Sequence, residues 1–194
     1  MRINEIFYSI QGEGAHSGNA AIFVRFAGCN LRCSFCDTEH QPYQELTEEE
    51  ICDEIAKYPT PLVVITGGEP TLQLTYSLVD KIHNLGKIVA IETNGTREVP
   101  TNVDWVTVSP KESYVGTIGE PIIKTAHEVK IVLDGKTIYT DPTFGITAAH
   151  YFVQPCDTGD KERNREIIEH CVNFVKQNPK WKLSLQTQKI LKVR

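Results

Sequence analysis

Three cysteines, Cys29, Cys33 and Cys36, lie within eight residues of this sequence, in the segment CNLRCSFC. Thiolates are soft ligands that suit zinc, copper(I) and iron–sulfur clusters. Structural zinc usually takes four ligands, and ordinary electron-transfer clusters take four cysteines. Three cysteines spaced CxxxCxxC on one loop can hold three corners of a four-iron cluster. The fourth iron then stays open to a small molecule.

The open iron position has a candidate ligand, S-adenosylmethionine (SAM), which would bind through its amino and carboxylate groups. An electron passed from the cluster into the sulfonium would break a carbon–sulfur bond and give a 5′-deoxyadenosyl radical that abstracts hydrogen. The alternative is a zinc ion with His40 as the fourth ligand, four residues after Cys36. Cys52 and Cys171 fall on apolar faces of predicted helices and are expected in the core.

Strands and helices alternate along the rest of the chain. Buried strands are predicted at 20–28, 62–66, 87–93, 103–110, 128–133 and 150–155, with a short closing strand at 181–187. Helices are predicted from Thr47 (with Glu50 as a capping box), over 74–85 and from about 161 to 177. The inward face of the last helix is predicted to carry Ile167, Ile168, Cys171, Val172 and Val175.

This alternation implies an α/β fold, a parallel sheet with helical crossovers. A closed eight-fold barrel takes about 250 residues. The 194 residues therefore predict an open, partial parallel β/α barrel of about six strands, forming a single domain over 1–194.

Polar motifs follow five of the predicted strands: the cysteine loop, TGGEP, ETNG, SPK and QPCD. The carboxyl ends of parallel strands form the ligand face of such folds, so the five motifs are expected to converge. Gly68 lacks a side chain and can present its carbonyl to the ammonium of a methionine, with Glu69 nearby. Arg25, charged in an apolar strand, indicates either a structural ion pair or a site for a substrate carboxylate.

Other polar residues on this face allow two interpretations each. Ser109 to Lys111 form either a turn with a solvated lysine or a contact to the ribose and carboxylate of SAM. Glu92 and Asn94 are either turn residues or hydrogen-bonding groups. Cys156 either approaches the adenosyl ligand or is a bystander thiol.

Composition excludes several classes of protein. Hydrophobic residues make up 40% and charged residues 23%, as in ordinary globular proteins. The formal net charge of −5 argues against a general nucleic-acid binder. No stretch approaches the roughly 18 apolar residues of a membrane span, and the start lacks a signal-peptide pattern. A cytoplasmic protein with reduced cysteines is therefore expected.

The motifs, taken in order, resemble one family. CxxxCxxC with Phe35 before the last cysteine resembles the radical SAM superfamily, in which this aromatic residue lies beside the adenine. Nearly end to end, the chain resembles the 7-carboxy-7-deazaguanine synthase family. The segments that carry this resemblance are EIFYSIQGEG, FVRFAGCN, CDT, TGGEP, IETNG, VSPK, EVKIV, VQP and LQTQK. The resemblance implies conversion of 6-carboxy-5,6,7,8-tetrahydropterin to 7-carboxy-7-deazaguanine with loss of ammonia, in queuosine biosynthesis. The adenosyl radical would remove the hydrogen at C6, which gives deoxyadenosine, and a hydrogen would later be returned from deoxyadenosine to the rearranged intermediate, so that the adenosyl cofactor is reused.

The resemblance also implies roles for individual residues. A [4Fe-4S] cluster would be held by Cys29, Cys33 and Cys36. Mg²⁺ would be bound by Thr38, with substrate oxygens and water completing its shell. Contacts to SAM are expected from Phe35, Cys36, Asp37, Gly68, Ser109, Pro110, Lys111, Gln154, Pro155, Cys156 and Asp157. Contacts to the pterin are expected from Ile10, Gln11, Gly12, Arg25, Thr66 and Arg194.

Two positions depart from the family pattern. Gln188 stands where the family often has histidine, and the chain ends in Val193-Arg194 where the family often ends in proline. The family's terminal carboxylate reaches the substrate, so the same contact is expected here from Arg194.

The resemblance further implies flavodoxin or ferredoxin as electron donor, and a homodimer. Two other functions stay open. An activase of a glycyl-radical enzyme would share the cluster but would lack the segment from Ser9 to Gly14 and Thr38. A zinc-stabilised binding module would use the cysteines without catalysis.

Overall fold

The computed structural model describes residues 1–36, 38–39, 41–137 and 139–194. In these residues nine strands form one sheet: β1 (Arg2–Ile10), β2 (Ala20–Phe26), β3 (Gln44–Glu45), β4 (Leu62–Gly67), β5 (Ile88–Thr93), β6 (Trp105–Val108), β7 (Thr125–Leu133), β8 (Thr147–Pro155) and β9 (Trp181–Leu183). The α-helices are α1 (Glu48–Ala56), α2 (Tyr76–Asn84), α3 (Glu112–Val115), α4 (Lys161–Gln177) and α5 (Thr187–Leu191). Short 3₁₀ helices span Gly14–His16, Pro70–Leu72 and Gly116–Gly119.

The sheet is mostly parallel and open, in the order β3-β1-β2-β4-β5-β6-β7-β8-β9. From β2 to β9 in this order all neighbours are parallel. β1 runs antiparallel to β2, and β3 antiparallel to β1. The predicted α/β fold is confirmed, and the six predicted strands are β2 and β4 to β8. β1 and β3 were not predicted; they add an antiparallel edge beside β2.

The helix predictions hold, and the capping groups explain where the helices begin. The Thr47 side chain accepts from the Glu50 amide at 3.1 Å, and the Glu50 carboxylate accepts from the Thr47 amide at 2.8 Å. α4 spans 161–177 as predicted and begins after Asp160, whose side chain accepts from the Arg163 amide. Ile168 was predicted to face inward, but it is 42% exposed. The helix instead packs through a stripe of Ile167, Cys171, Phe174 and Val175.

The predicted closing strand at 181–187 is too long. β9 ends at Leu183, and Thr187 begins α5. Ser184 donates to the Gln154 side chain, and the Thr187 hydroxyl donates to the Gly12 carbonyl at 3.0 Å. These polar contacts draw the chain away from the strand direction and across the carboxyl end of the sheet.

The strand pleat separates the two faces of the sheet. On one face Ile22, Val63 and Val89 pack in the core with α1 and α2. On the other face three neighbouring strands each carry an apolar residue and, two positions later on the same face, a polar residue. These pairs are Phe23 and Arg25 in β2, Val64 and Thr66 in β4, and Ala90 and Glu92 in β5. Phe23 pairs with Val64, and Arg25 with Thr66, so the polar residues form one layer at the carboxyl ends.

No helix in the described ranges combines the length and the apolar character that crossing a membrane requires.

Candidate active site

A cavity of about 780 Å³ opens at the carboxyl ends of the parallel strands. It receives side chains from β1, β2, β4, β5, β7 and β8, from the cysteine loop and from the C-terminal segment. The predicted site residues that line it are Ile10, Gln11, Gly12, Arg25, Cys29, Cys33, Phe35, Cys36, Thr38, Thr66, Gly68, Ser109, Lys111, Gln154 and Arg194. The motifs that follow different strands are therefore brought to a single cavity.

Four predicted contact residues lie outside the lining that the described residues form: Pro110, Pro155, Cys156 and Asp157. Cys156 is buried in the core with α4. Asp157 is exposed and forms an ion pair of 2.7 Å with Lys189, which does line the cavity. Asp37, predicted to contact SAM, and His40, the alternative zinc ligand, lie outside the described residues.

The three cysteines occupy one side of the cavity. The Cys36 amide donates to the Cys33 carbonyl at 3.2 Å, which closes a turn. Burial raises the pKa values of the Cys29 and Cys33 thiols, and nearby Lys111 acts in the opposite direction. Because the neutral thiol is favoured here, binding of a metal must displace the proton.

The three thiols fit three corners of an iron–sulfur cluster. Among the described residues, no three His, Cys, Asp or Glu side chains converge as the ligands of a single ion. A four-iron cluster does not need such convergence, because each cysteine binds a different iron. Three thiols on one loop, facing a cavity, match three corners of such a cluster and leave room beside the fourth.

Two glycines, one ending β4 and one beginning the loop after it, let this part of the chain approach the cysteine loop closely. Gly67 has φ of +133°, and a Cβ there would lie 2.1 Å from the Phe26 carbonyl oxygen. A Cβ on Gly68 would lie 2.1 Å from the Gly28 carbonyl oxygen and 3.0 Å from the Cys29 Cβ. Both positions therefore require glycine, which brings the Gly68 backbone next to the first cysteine.

Phe35 is held beside the cysteines by an aromatic and a basic neighbour. Its ring packs edge-on against Tyr114 at 4.3 Å between centroids, and Lys111 Nζ lies 5.6 Å from its centroid. Lys111 also hydrogen-bonds Ser109. Burial lowers the Lys111 pKa, an effect that the Cys33 thiol partly offsets. The arrangement offers an aromatic face and a half-buried cation to a ligand at the cysteines.

A polar cluster, formed by Gln11, Glu13, Glu92 and Lys130, lines another part of the cavity. Lys130 Nζ lies 2.6 Å from Glu13 and 3.4 Å from Glu92, and Gln11 donates to Glu92 at 3.0 Å. Burial opposes the charge on Glu13, but Lys130 and two glutamines together lower its pKa to about 2. Burial likewise opposes the charge on Lys130, yet Glu13, Glu92 and Glu128 raise its pKa.

The C-terminal segment closes the polar side of the cavity. Gln186 and Gln188 each donate to Glu13, at 3.0 and 3.1 Å. Arg194 reaches back to β1, where its carbonyl oxygen accepts from Ser9 at 2.6 Å. The end of the chain therefore lies beside the cavity, although it lacks the family's terminal proline.

Arg25, on the same side, has a structural partner. Its Nε lies 2.9 Å from the Glu5 carboxylate, which also contacts the guanidinium of Arg194. Arg25 and Arg194 both line the cavity. Two guanidiniums share one carboxylate, so the ion-pair interpretation of Arg25 holds while positive charge remains for an anion in the cavity.

Sequence reasoning missed Glu13, Lys130 and Gln186. Lys130 could have been found from the sequence, because it is a charged residue in the apolar run EVKIVL. Like Arg25, it indicates either an ion pair or a binding site. Glu13 lies in a segment with no apolar pattern to mark it as buried. Gln186 falls in the predicted closing strand at 181–187, which in the structure ends before this residue. Together the cysteine side and the polar cluster give the cavity thiols on one side and half-buried carboxylates on the other.

Comparisons with known proteins agree along the whole chain. Residues 23–113 match a family model described as the radical SAM superfamily. The chain is 47% identical over 193 residues to 7-carboxy-7-deazaguanine synthase of Bacteroides thetaiotaomicron, covering 100% of this chain and 98% of the relative. A protein of the same name from Haemophilus influenzae is 35% identical, covering 98% and 93%. The crystal structure of QueE from Escherichia coli has a TM-score of 0.73 at 27% identity, covering 95% and 92%.

Proposed function

The chain belongs to the 7-carboxy-7-deazaguanine synthase family of the radical SAM superfamily, and we propose that it performs that family's reaction. The substrate is 6-carboxy-5,6,7,8-tetrahydropterin, the product is 7-carboxy-7-deazaguanine, and ammonia leaves. The protein is thus a carbon–nitrogen lyase in a route to queuosine. We treat residues 1–194 as one radical SAM domain.

One observation carries the proposal: the three cysteines and the polar cluster face the same cavity. When bound, the cluster and SAM supply a one-electron cleavage that yields a hydrogen-abstracting adenosyl group. Such chemistry requires the substrate to lie against the adenosyl group with water excluded. A cavity shared by the two sets of residues provides this contact.

On the cysteine side, Cys29, Cys33 and Cys36 are the proposed cluster ligands. Gly68 offers its backbone carbonyl to the SAM ammonium, and Phe35 packs against the adenine. Ser109, Lys111 and Gln154 contact the remainder of SAM, which their position in the lining supports. Five further residues are proposed to contact SAM on the family pattern alone: Asp37, Pro110, Pro155, Cys156 and Asp157.

On the polar side, the pterin is proposed to lie over Ile10, Gln11 and Gly12, with Thr66 at its far edge. A reduced pterin presents several N–H donors, and the half-buried carboxylate of Glu92 is an acceptor in the lining. Arg25 is the proposed partner of the substrate carboxylate, and its position in the lining supports this, although Glu5 pairs with the same guanidinium. The chain terminus at Arg194 closes this side.

Magnesium is proposed at Thr38. This residue lines the cavity next to the last cysteine, and its carbonyl oxygen lies 3.7 Å from the Cys36 sulfur. One neutral hydroxyl is a weak site for Mg²⁺, so the ion would depend on substrate oxygens and water.

Three further parts of the proposal concern the surroundings of the enzyme. The electron donor is a flavodoxin or ferredoxin, and the protein is a homodimer; both rest on the family resemblance. The cytoplasm is the proposed location, because a reducing compartment keeps the proposed cluster cysteines from forming disulfides.

Anaerobic turnover tests the proposal. Protein reconstituted with iron and sulfide, then supplied with SAM, reductant and 6-carboxytetrahydropterin, is expected to release 7-carboxy-7-deazaguanine and ammonia in equal amounts. An Arg25→Gln variant is expected to raise KM for the carboxylated pterin, because it removes the cation that faces the carboxylate.

Binding provides the second part of the test. The pterin is expected to bind without any partner protein, which separates this activity from glycyl-radical activation. Two results would refute the proposal: iron-loaded protein that forms no product, or protein that holds one zinc per chain and takes up no iron when iron and sulfide are supplied.

A further inference from the structure

Glu69, in TGGEP, is a fully buried carboxylate behind the cavity. Its exposed fraction is 0%. The neighbouring Gly67 and Gly68 line the cavity, whereas Glu69 lies outside the lining formed by the part of the chain that the structure describes. A buried carboxylate of this kind is costly unless its oxygens are satisfied, so its partners reveal its role.

Four hydrogen bonds satisfy the Glu69 carboxylate. One oxygen accepts from the Thr71 amide at 3.0 Å, the Thr71 hydroxyl at 2.6 Å and the Thr93 hydroxyl at 2.8 Å. The other accepts from the Asn94 amide at 2.8 Å. Thr93 Oγ1 accepts from the Gly95 amide, so its hydroxyl hydrogen is available to Glu69. Both oxygens therefore act as acceptors.

These bonds connect three segments of the chain. Thr71 lies in the 3₁₀ helix that follows β4, Thr93 ends β5, and Asn94 begins the loop after it. The Asn94 side chain donates to the Asn30 side chain at 3.0 Å, and Asn30 follows the first cysteine. The Glu69 amide itself donates to the Gly28 carbonyl at 2.9 Å. The Glu69 carboxylate thus joins the segments after β4 and β5, and its own amide together with the bond between Asn94 and Asn30 connects them to the loop after β2.

We infer that Glu69 is a positioning residue for SAM binding rather than a ligand of SAM. Its carboxylate fixes the Gly68 backbone relative to Cys29, and thereby the separation between the proposed ammonium site and the cluster. To contact SAM directly, the side chain would have to leave four hydrogen bonds and turn into the cavity. The inference rests on the proposed function, because it concerns the same site.

Two substitutions test the inference without altering the cavity lining. Glu69→Gln keeps the side-chain shape, but one amide N–H must then face a backbone N–H, whichever way the amide is turned. Thr71→Val removes one hydroxyl donor from Glu69 at a residue outside the described lining. Thr71→Ser keeps that donor and serves as the matched control.

The measurement is the SAM dissociation constant by anaerobic equilibrium dialysis, on protein with matched iron content. Glu69→Gln is expected to weaken binding about tenfold and Thr71→Val about threefold, while Thr71→Ser stays within about twofold of wild type. The SAM-induced change in the electron paramagnetic resonance signal of the reduced cluster should persist at saturating SAM. SAM would then still coordinate the cluster in the variants, and only the free energy of SAM binding would have changed.

If Thr71→Val binds SAM with wild-type affinity, the inference is overturned, whatever the result for Glu69→Gln. A loss of SAM affinity confined to Glu69→Gln would identify Glu69 as a direct ligand. If Glu69→Gln does not fold, the comparison of Thr71→Val with Thr71→Ser decides alone. Iron-loaded wild-type protein that fails to bind SAM would instead overturn the proposed function, and the inference with it.

Discussion

Replacing Lys130 by methionine tests the electrostatics of the polar cluster. Lys130 is 4% exposed and lies 2.6 Å from Glu13. Glu13 has a pKa of about 2, against an ordinary 4.5, and each tenfold change in that ionisation constant corresponds to about 1.4 kcal/mol. The contacts to Glu13 thus contribute on the order of 3 kcal/mol at neutral pH. Lys130→Met should lower the free energy of unfolding by about 3–5 kcal/mol, because a buried charge loses its partner.

The pH dependence gives a second readout with a definite sign. In the wild type the folded pKa of Glu13 is depressed, so its stabilisation is present above about pH 4.5 and is lost as pH falls towards 2. In Lys130→Met, burial raises the folded pKa of Glu13, so protonation relieves the buried charge as pH falls. The difference in unfolding free energy between variant and wild type should therefore shrink from pH 7 to pH 5.

Urea denaturation followed by the fluorescence of Trp105 and Trp181, under reducing conditions, measures both quantities. The double variant Glu13→Gln/Lys130→Met should recover part of the loss, because the unpaired charge on Glu13 is gone. Equal unfolding free energies for Lys130→Met and wild type, with parallel pH profiles, would refute this account of the polar cluster.

Other substitutions test single elements. Thr47→Ala should lower the free energy of unfolding by about 1 kcal/mol, because the capping box is lost. Thr47→Ser is the control in the same denaturation assay, and enzymatic turnover should not change in either variant. Cys33→Ala should lose bound iron in a colorimetric assay, whereas Cys52→Ala, on α1, should retain it. Asp157→Asn removes the partner of Lys189 and should speed tryptic cleavage in the C-terminal segment; unchanged cleavage would contradict the role of that ion pair.

Elements with local signals were predictable from the sequence. The capping box at Thr47 and the run from Lys161 to Gln177 depend on spacings within a few residues, and both appear as predicted. The buried parallel strands were marked by apolar runs such as LVVIT. β1 was missed because RINEIFYSI mixes apolar and charged residues, and its place is set by pairing with β2.

Contacts between distant segments were beyond sequence reasoning. Glu5 pairs with Arg25 because β1 is antiparallel to β2, with an irregularity between Ile3 and Glu5 that sets the register. Glu13 meets Lys130 across 117 positions of the chain. Neither partner could be identified from spacing, so the charge of Arg25 was recognised without its structural partner.

Deuterium transfer from the substrate tests most directly whether the cysteine side and the polar side of the cavity form one active site. The protein would be incubated anaerobically with SAM, reductant and 6-carboxytetrahydropterin labelled at C6. The account predicts deuterium in the 5′ position of deoxyadenosine or recovered SAM, because the adenosyl group lies against C6. Product formed with no label in either molecule would contradict it.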